Sequence, residues 1–238
     1  MKNYNYIINE KKLLETQELV CKDNSSYICR AIELPNKNLV SSDNVHILVW
    51  KKNMNNKFEI IKDISDFGGV MQHLILINNK YIVCHNNNGV LRIYNSLDNF
   101  KLEKEIKNIQ SSYYMHRFCI INSDIFCLGG DEYIYLFSIT KMDLINSLKV
   151  QNMKFHSIIT LPNNTILAGA YQNENLCYFF QFYIDENNQI KEISRKEEVH
   201  STSIWQLVYL NIQNNFDQII SVSDDSYIKI WEIKEEKI

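Results

Sequence analysis

The sequence predicts an all-β protein of about five four-stranded antiparallel units, and three observations carry that prediction. Short apolar segments closing on a large aromatic recur along the chain, each follows a second apolar run that ends in turn residues, and helical periodicity is absent. The recurring segments are VHILVW, VLRIYN, YIYLFS, YFFQFYI and YIKIWE, with Trp50, Tyr94, Phe137, Phe182 and Trp231 as their aromatics. Successive aromatics stand 44, 43, 45 and 49 residues apart, the scale on which a supersecondary unit repeats. No window of about a dozen residues keeps apolar side chains at i, i+3, i+4 and i+7, and the wealth of Tyr, Ile, Val and Phe favours strands.

Each unit reads as four strands in a fixed order. The first strand is apolar: YICRAIELPNK, MQHLILINNK, MHRFCIINSD, FHSIITLPNN and SIWQLVYLNIQNN. Its LPN turn occurs twice, at Pro35 and Pro162, 127 residues apart and so close to three periods. The second strand lies in NLVSSDN, YIVCHNNNG, IFCLGGDE, TILAGAYQNEN and IISVSDDS, where Asn, Asp, Gly and Ser supply a tight hairpin into the aromatic third strand. The fourth, in KFEIIKDI, FKLEKEI, DLINSLKV and IKEISRKE, is more polar, as suits an outer edge. The units span residues 26–65, 68–108, 112–150, 153–198 and 199–238. The last has no fourth strand of its own, whereas KKLLETQELVC precedes the first unit as an unassigned strand.

Four strands per unit, this period and a Trp closing the third strand resemble the WD40 family of β-propellers. The final unit, VHSTSIWQLVYLNIQNNFDQIISVSDDSYIKIWEI, is the fullest match. There His200 stands at the family's Gly-His dipeptide, with Val199 in place of the Gly, and Trp231-Glu232 stands for Trp-Asp. The resemblance implies that His200, Ser221, Asp225 and Trp231 form the family's structural hydrogen-bonded tetrad. Other units depart from it: counting back from Trp50 puts Val40 at the place of Ser221 and Asn44 at that of Asp225. The second unit offers Asn88 and Tyr94, the third Asp131 and Phe137, and the fourth no Asp. The resemblance also implies a β-propeller of about five four-stranded blades, with residues 11–20 closing the ring as the outer strand beside Trp231. An open ring completed by a partner or a second copy is the alternative.

Charge and composition narrow the function classes. With 25 basic and 28 acidic residues the net charge is −3, without the basic patch of a dedicated nucleic-acid binder. The N-terminal stretch MKNYNYIINEKKLLETQELV offers neither a signal peptide nor a membrane span, so a cytoplasmic protein without membrane insertion is expected, the nucleus remaining open. Six cysteines without a CxxC pair read as free thiols, mostly buried.

Catalytic, metal and cofactor motifs are missing. Asp224 and Asp225 are adjacent in a turn, where their side chains diverge, and one belongs to the tetrad. Gly129 and Gly130 lack the Lys-Ser/Thr and the helix of a phosphate loop. Cys84–His85 and His116/Cys119 have odd strand offsets and point to opposite faces. The expectation is a non-catalytic protein-interaction scaffold or adaptor binding other proteins or peptides through the propeller's top face. The alternative is a propeller enzyme or small-ligand binder with a central-channel site. Aligning the first strands puts Cys29, Gln72, His116, His156 and Trp205 in one layer on that face, with Arg30 and Arg117 beside it and Tyr27 nearby. Trp205, Arg30, Arg117, His116, His156, Gln72 and Tyr27 are the candidate partner-binding residues.

Overall fold

The computed structural model describes residues 19, 30–43, 45–64, 69–110, 117–173, 176–211 and 217–233. Within them the chain is all-β and antiparallel, the one helical element being a 3-10 turn at Pro162–Asn164. A first sheet takes β1 (Arg30–Glu33), β2 (Leu39–Ser42), β3 (Ile47–Lys52) and β4 (Phe58–Ile64) in sequence order. A second takes β5 (Met71–Ile77), β6 (Tyr81–Asn86), β7 (Leu91–Asn95) and β8 (Lys101–Ile106) in the same way.

The third sheet has seven strands: β9 (Phe118–Ile120), β10 (Ile125–Gly129), β11 (Asp131–Ser138), β12 (Asp143–Thr160), β13 (Thr165–Asn173), β14 (Leu176–Ile184) and β15 (Ile190–Lys196). The last has β16 (Ile204–Leu210), β17 (Gln218–Ser223) and β18 (Ile228–Glu232). The sequence reading separates units at 150 and 153, but β12 runs through that boundary, pairing with β11 by its first half and β13 by its second. The seven-stranded sheet is therefore two meanders sharing one long strand. At the join, where the register with β11 shifts, Asn152 adopts a left-handed φ of 62° and donates its amide to Glu132 Oε1 at 2.7 Å.

The periodic aromatics share one register. Leu39 faces Trp50, Ile82 faces Tyr94, Phe126 faces Phe137, Ile166 faces Phe182 and Ile219 faces Trp231. The two LPN turns also coincide. Buried Leu34 and Leu161 donate their amides to Asn38 O and Thr165 O, and the second residue after each Pro, Lys37 or Asn164, is left-handed. Asn supplies most such positions among the described residues, because its short amide tolerates φ above zero.

Alternating side chains give each sheet two apolar faces, and four seams join consecutive units. Val40, Ile47 and Val49 of the first sheet meet Met71, Leu74 and Ile82 of the second. Val83, Leu91 and Ile93 meet Phe126, Leu128 and Phe137, and Cys127, Ile134 and Leu136 meet Phe155, Ile166 and Phe180. Leu167 and Phe179 meet Ile204, Leu207 and Ile219. A fifth cluster, Leu48 and Trp50 with Leu39, Phe58 and Ile60, lies on the other face of the first sheet and is joined by Leu19. First strands touch in chain order, β1 to β5, β5 to β9, β9 to β12 and β12 to β16. Residues 11–18 and 20, the rest of the expected closing strand, lie outside the described residues.

Candidate functional site

Two sets of polar residues stand out, one inside the last sheet and one where the first strands begin. In the last sheet, Ser221 is two residues beyond Ile219, the cross-strand partner of Trp231, so its hydroxyl sits under the indole. Trp231 Nε1 donates to Ser221 Oγ at 2.8 Å, Ser221 Oγ lies 2.7 Å from His200 Nε2, and His200 Nδ1 lies 2.7 Å from Asp225 Oδ2. With a neutral imidazole, one tautomer satisfies the chain: indole to hydroxyl, hydroxyl to Nε2, and Nδ1–H to the carboxylate. Asp225 also accepts the amides of Ser201 and Tyr227. Burial pushes its carboxyl up, but the His200 and amide hydrogen bonds outweigh this and hold it below the ordinary carboxylate range. Asp224 beside it is exposed, so the two carboxylates do not act on one point.

The first sheet corrects a detail of the sequence alignment. Trp50 Nε1 donates to Ser41 Oγ at 2.8 Å, and Ser41 stands two residues beyond Leu39, so Ser41 rather than Val40 matches Ser221. The hairpin from Ser42 to Ile47 is one residue shorter than that from Val222 to Ile228, which shifts any count taken back from the Trp. Asp43 holds the turn instead, accepting the amides of Val45 and His46 at 2.8 and 2.7 Å. At the serine position the middle units carry Cys84, Leu128 and Ala168, each two residues beyond the cross-strand partner of Tyr94, Phe137 or Phe182. Hydroxyl and indole are thus present together or absent together.

The second set lies at β-bulges. Register shifts in β5 between Met71 and His73, in β12 between Phe155 and Ser157, and in β16 between Ile204 and Gln206 make Gln72, His156 and Trp205 the extra bulge residues at equivalent positions. A bulge re-aims side chains and ends regular pairing, here at one end of each first strand. His156, 3% exposed, lies beneath the surface, its ring 4.5 Å from Tyr171 and 5.8 Å from the half-buried Trp205. It supports Trp205 rather than facing outward. Tyr27, Cys29 and His116 lie outside the described residues.

The next residue of each first strand makes a second layer. Ala31, Leu74, Phe118, Ile158 and Leu207 pair with the serine-position residues, which sets Arg30, His73, Arg117, Ser157 and Gln206 at one register. Arg30 is exposed and Arg117 half-buried, and Arg117 Nε is buried without an acceptor among the described residues. His73 is 5% exposed, its two ring nitrogens have no hydrogen-bond partner among the described residues, and its ring centre lies 5.7 Å from that of Phe118. Burial first, then Arg30 and Arg117, pushes its imidazole down to about 3. Burial and Arg30 likewise lower the Arg117 guanidinium. The sequence reading named both arginines but missed His73. The signal was present, since the alignment that yields Gln72 makes His73 the counterpart of Arg30 and Arg117.

Four described cysteines, Cys84, Cys119, Cys127 and Cys177, are free and buried. Among the described residues no three His, Cys, Asp or Glu side chains gather as a metal would require, and no helix is long and apolar enough to cross a membrane. No protein-family model matches the chain, and a search of the curated proteins finds no match either.

Proposed function

We propose that the chain is a small β-propeller of WD40 type, with about five blades, that works as a non-catalytic scaffold binding partner proteins or peptides at the end where its first strands begin. The observation that carries the reading is the shared register of the units. Equivalent aromatics, bulges and seams recur in chain order, and the first strands adjoin one another as strands lining a channel do. Of the adjacent carboxylates, Asp225 serves the frame through His200 and Asp224 faces solvent. Half-buried Trp205, backed by His156 and Tyr171, has the amphipathic, preorganised character of an interface anchor.

In this reading residues 11–20 close the ring as the outer strand of the last blade, keeping the whole in one cytoplasmic chain without cofactor. Ile228 and Ile230 on β18 are 70% and 64% exposed among the described residues, leaving an apolar face for a covering element. Affinity purification with mass spectrometry tests the role. Trp205→Ala and Arg117→Ala each should lose a reproducible set of partners while far-ultraviolet circular dichroism and melting stay as in the parent. Retention of every partner by both variants would sink the assignment of this face.

A further inference from the structure

We propose that Arg30, His73 and Arg117 form an oxyanion site that receives a phosphate or carboxylate group from an acidic segment of a partner peptide. The inference rests on the interaction-module reading and adds the chemistry of the partner.

Arg30 and His73 lie in first strands and Arg117 immediately precedes the next one, its carbonyl accepting the Gly129 amide, so the three share one register position on consecutive, touching strands. The same layer continues with Ser157 and Gln206, so it contains donors and no carboxylate. Ser157 Oγ is already engaged by the Leu207 amide at 2.9 Å. Among the described residues, neither Arg30 nor Arg117 has an ion pair, whereas Arg92 and Arg195 pair with Glu105 and Glu192. Two neighbouring guanidinium groups repel each other, and removing one from water without a counterion is costly. Among the described residues Arg117 nevertheless has a buried Nε without an acceptor, and His73, more than nine-tenths buried, has two unused ring nitrogens. A bound oxyanion would meet all of these needs together. It accepts from the planar donor forks of both guanidinium groups, relieves their repulsion, and offers an acceptor to the imidazole N–H. A cationic peptide would add like charge to the layer, which excludes the opposite partner chemistry.

Inorganic phosphate is the first probe, titrated into the full chain while the Arg117 Nε–H resonance and the melting temperature are followed. Sodium chloride at equal ionic strength is the control. Saturable shifts with phosphate beyond those with chloride are expected, and Arg117→Gln and Arg30→Gln should each weaken them about tenfold or more, the loss of one charge-assisted hydrogen bond. Without phosphate, Arg117→Gln should melt no lower than the parent, because it removes an unpaired charge; an arginine needed for the frame would melt lower. Equal effects of phosphate and chloride, or undiminished phosphate binding in both variants, would overturn the site. The Trp205→Ala pull-down would still stand or fall by itself.

Peptides carrying phosphoserine, glutamate or serine at one position then identify the source. Binding in the order phosphoserine, glutamate, serine supports a phosphorylated segment. Equal binding of phosphoserine and glutamate supports an acidic one. Equal binding of all three, or displacement of the best peptide by a single-stranded oligonucleotide at lower concentration, overturns the peptide assignment.

Discussion

At the residue scale, the frame depends on polar pairs that are complete or missing as pairs. Trp50 and Trp231 have their serines, whereas the strands paired with Phe137 and Phe182 carry Leu128 and Ala168 at the serine position, so neither of these two units buries an unanswered indole. The His200–Asp225 pair is buried, and loss of the acid leaves His200 Nδ1 and two amides without their acceptor. Asp225→Ala should therefore cost about 2–4 kcal/mol in urea unfolding, with Asp225→Asn costing less. His73 gives a second expectation. Its pKa is lowered to about 3 in the fold, while an unfolded His titrates near 6.5, so the unfolded chain binds the extra proton between these values. The contribution is complete above about pH 6.5 and declines as pH falls toward 3, by at most about 1.4 kcal/mol per unit. His73→Leu should flatten that slope in unfolding measured from pH 7 to pH 4; an unchanged slope would remove His73 as its source.

At the element scale, strand identity was plain in the sequence because each apolar run has the right length and ends in turn residues. The fourth strands and hairpins fall where the charge pattern and the Asn, Asp and Gly clusters put them. Hairpin length was not legible to within one residue, and that is how Ser41 was passed over for Val40. The continuity of β12 was equally hidden, because the join holds one left-handed Asn in a sequence where Asn is common everywhere and marks turns elsewhere. Gly89 shows how tightly the turns are fitted. Its φ is +72°, and a Cβ there would stand 2.3 Å from Ile109 O, a backbone atom held by the Ile109 amide bond to Gly89 O. Gly89→Ala should cost more than about 2 kcal/mol, from strain and clash together, read as a fall in denaturation midpoint.

At the scale of the whole molecule, consecutive seams make each unit depend on its neighbours, and the two ends of the series are the exception. One end is the Leu48–Trp50 face, where Leu19 packs; the other is β18 with its exposed isoleucines. If residues 11–20 bridge them, a variant lacking residues 1–20 should melt lower, show red-shifted Trp50 fluorescence and exchange the amides of residues 228–232 faster. Unaltered exchange there would remove the closing strand. The sequence by itself determined the all-β class and the repeating aromatics, because period-two patterning and turn chemistry are local, whereas the four residues of the last sheet's hydrogen-bonded chain were implied by the last unit's resemblance to a known repeat. Only the tertiary structure decided that Ser41 serves Trp50, that His156 lies under Trp205, and that His73 is buried with its ring nitrogens unanswered among the described residues. Those relations join residues on different strands or sheets, and they depend on hairpin lengths, bulges and burial, which no single stretch of sequence contains.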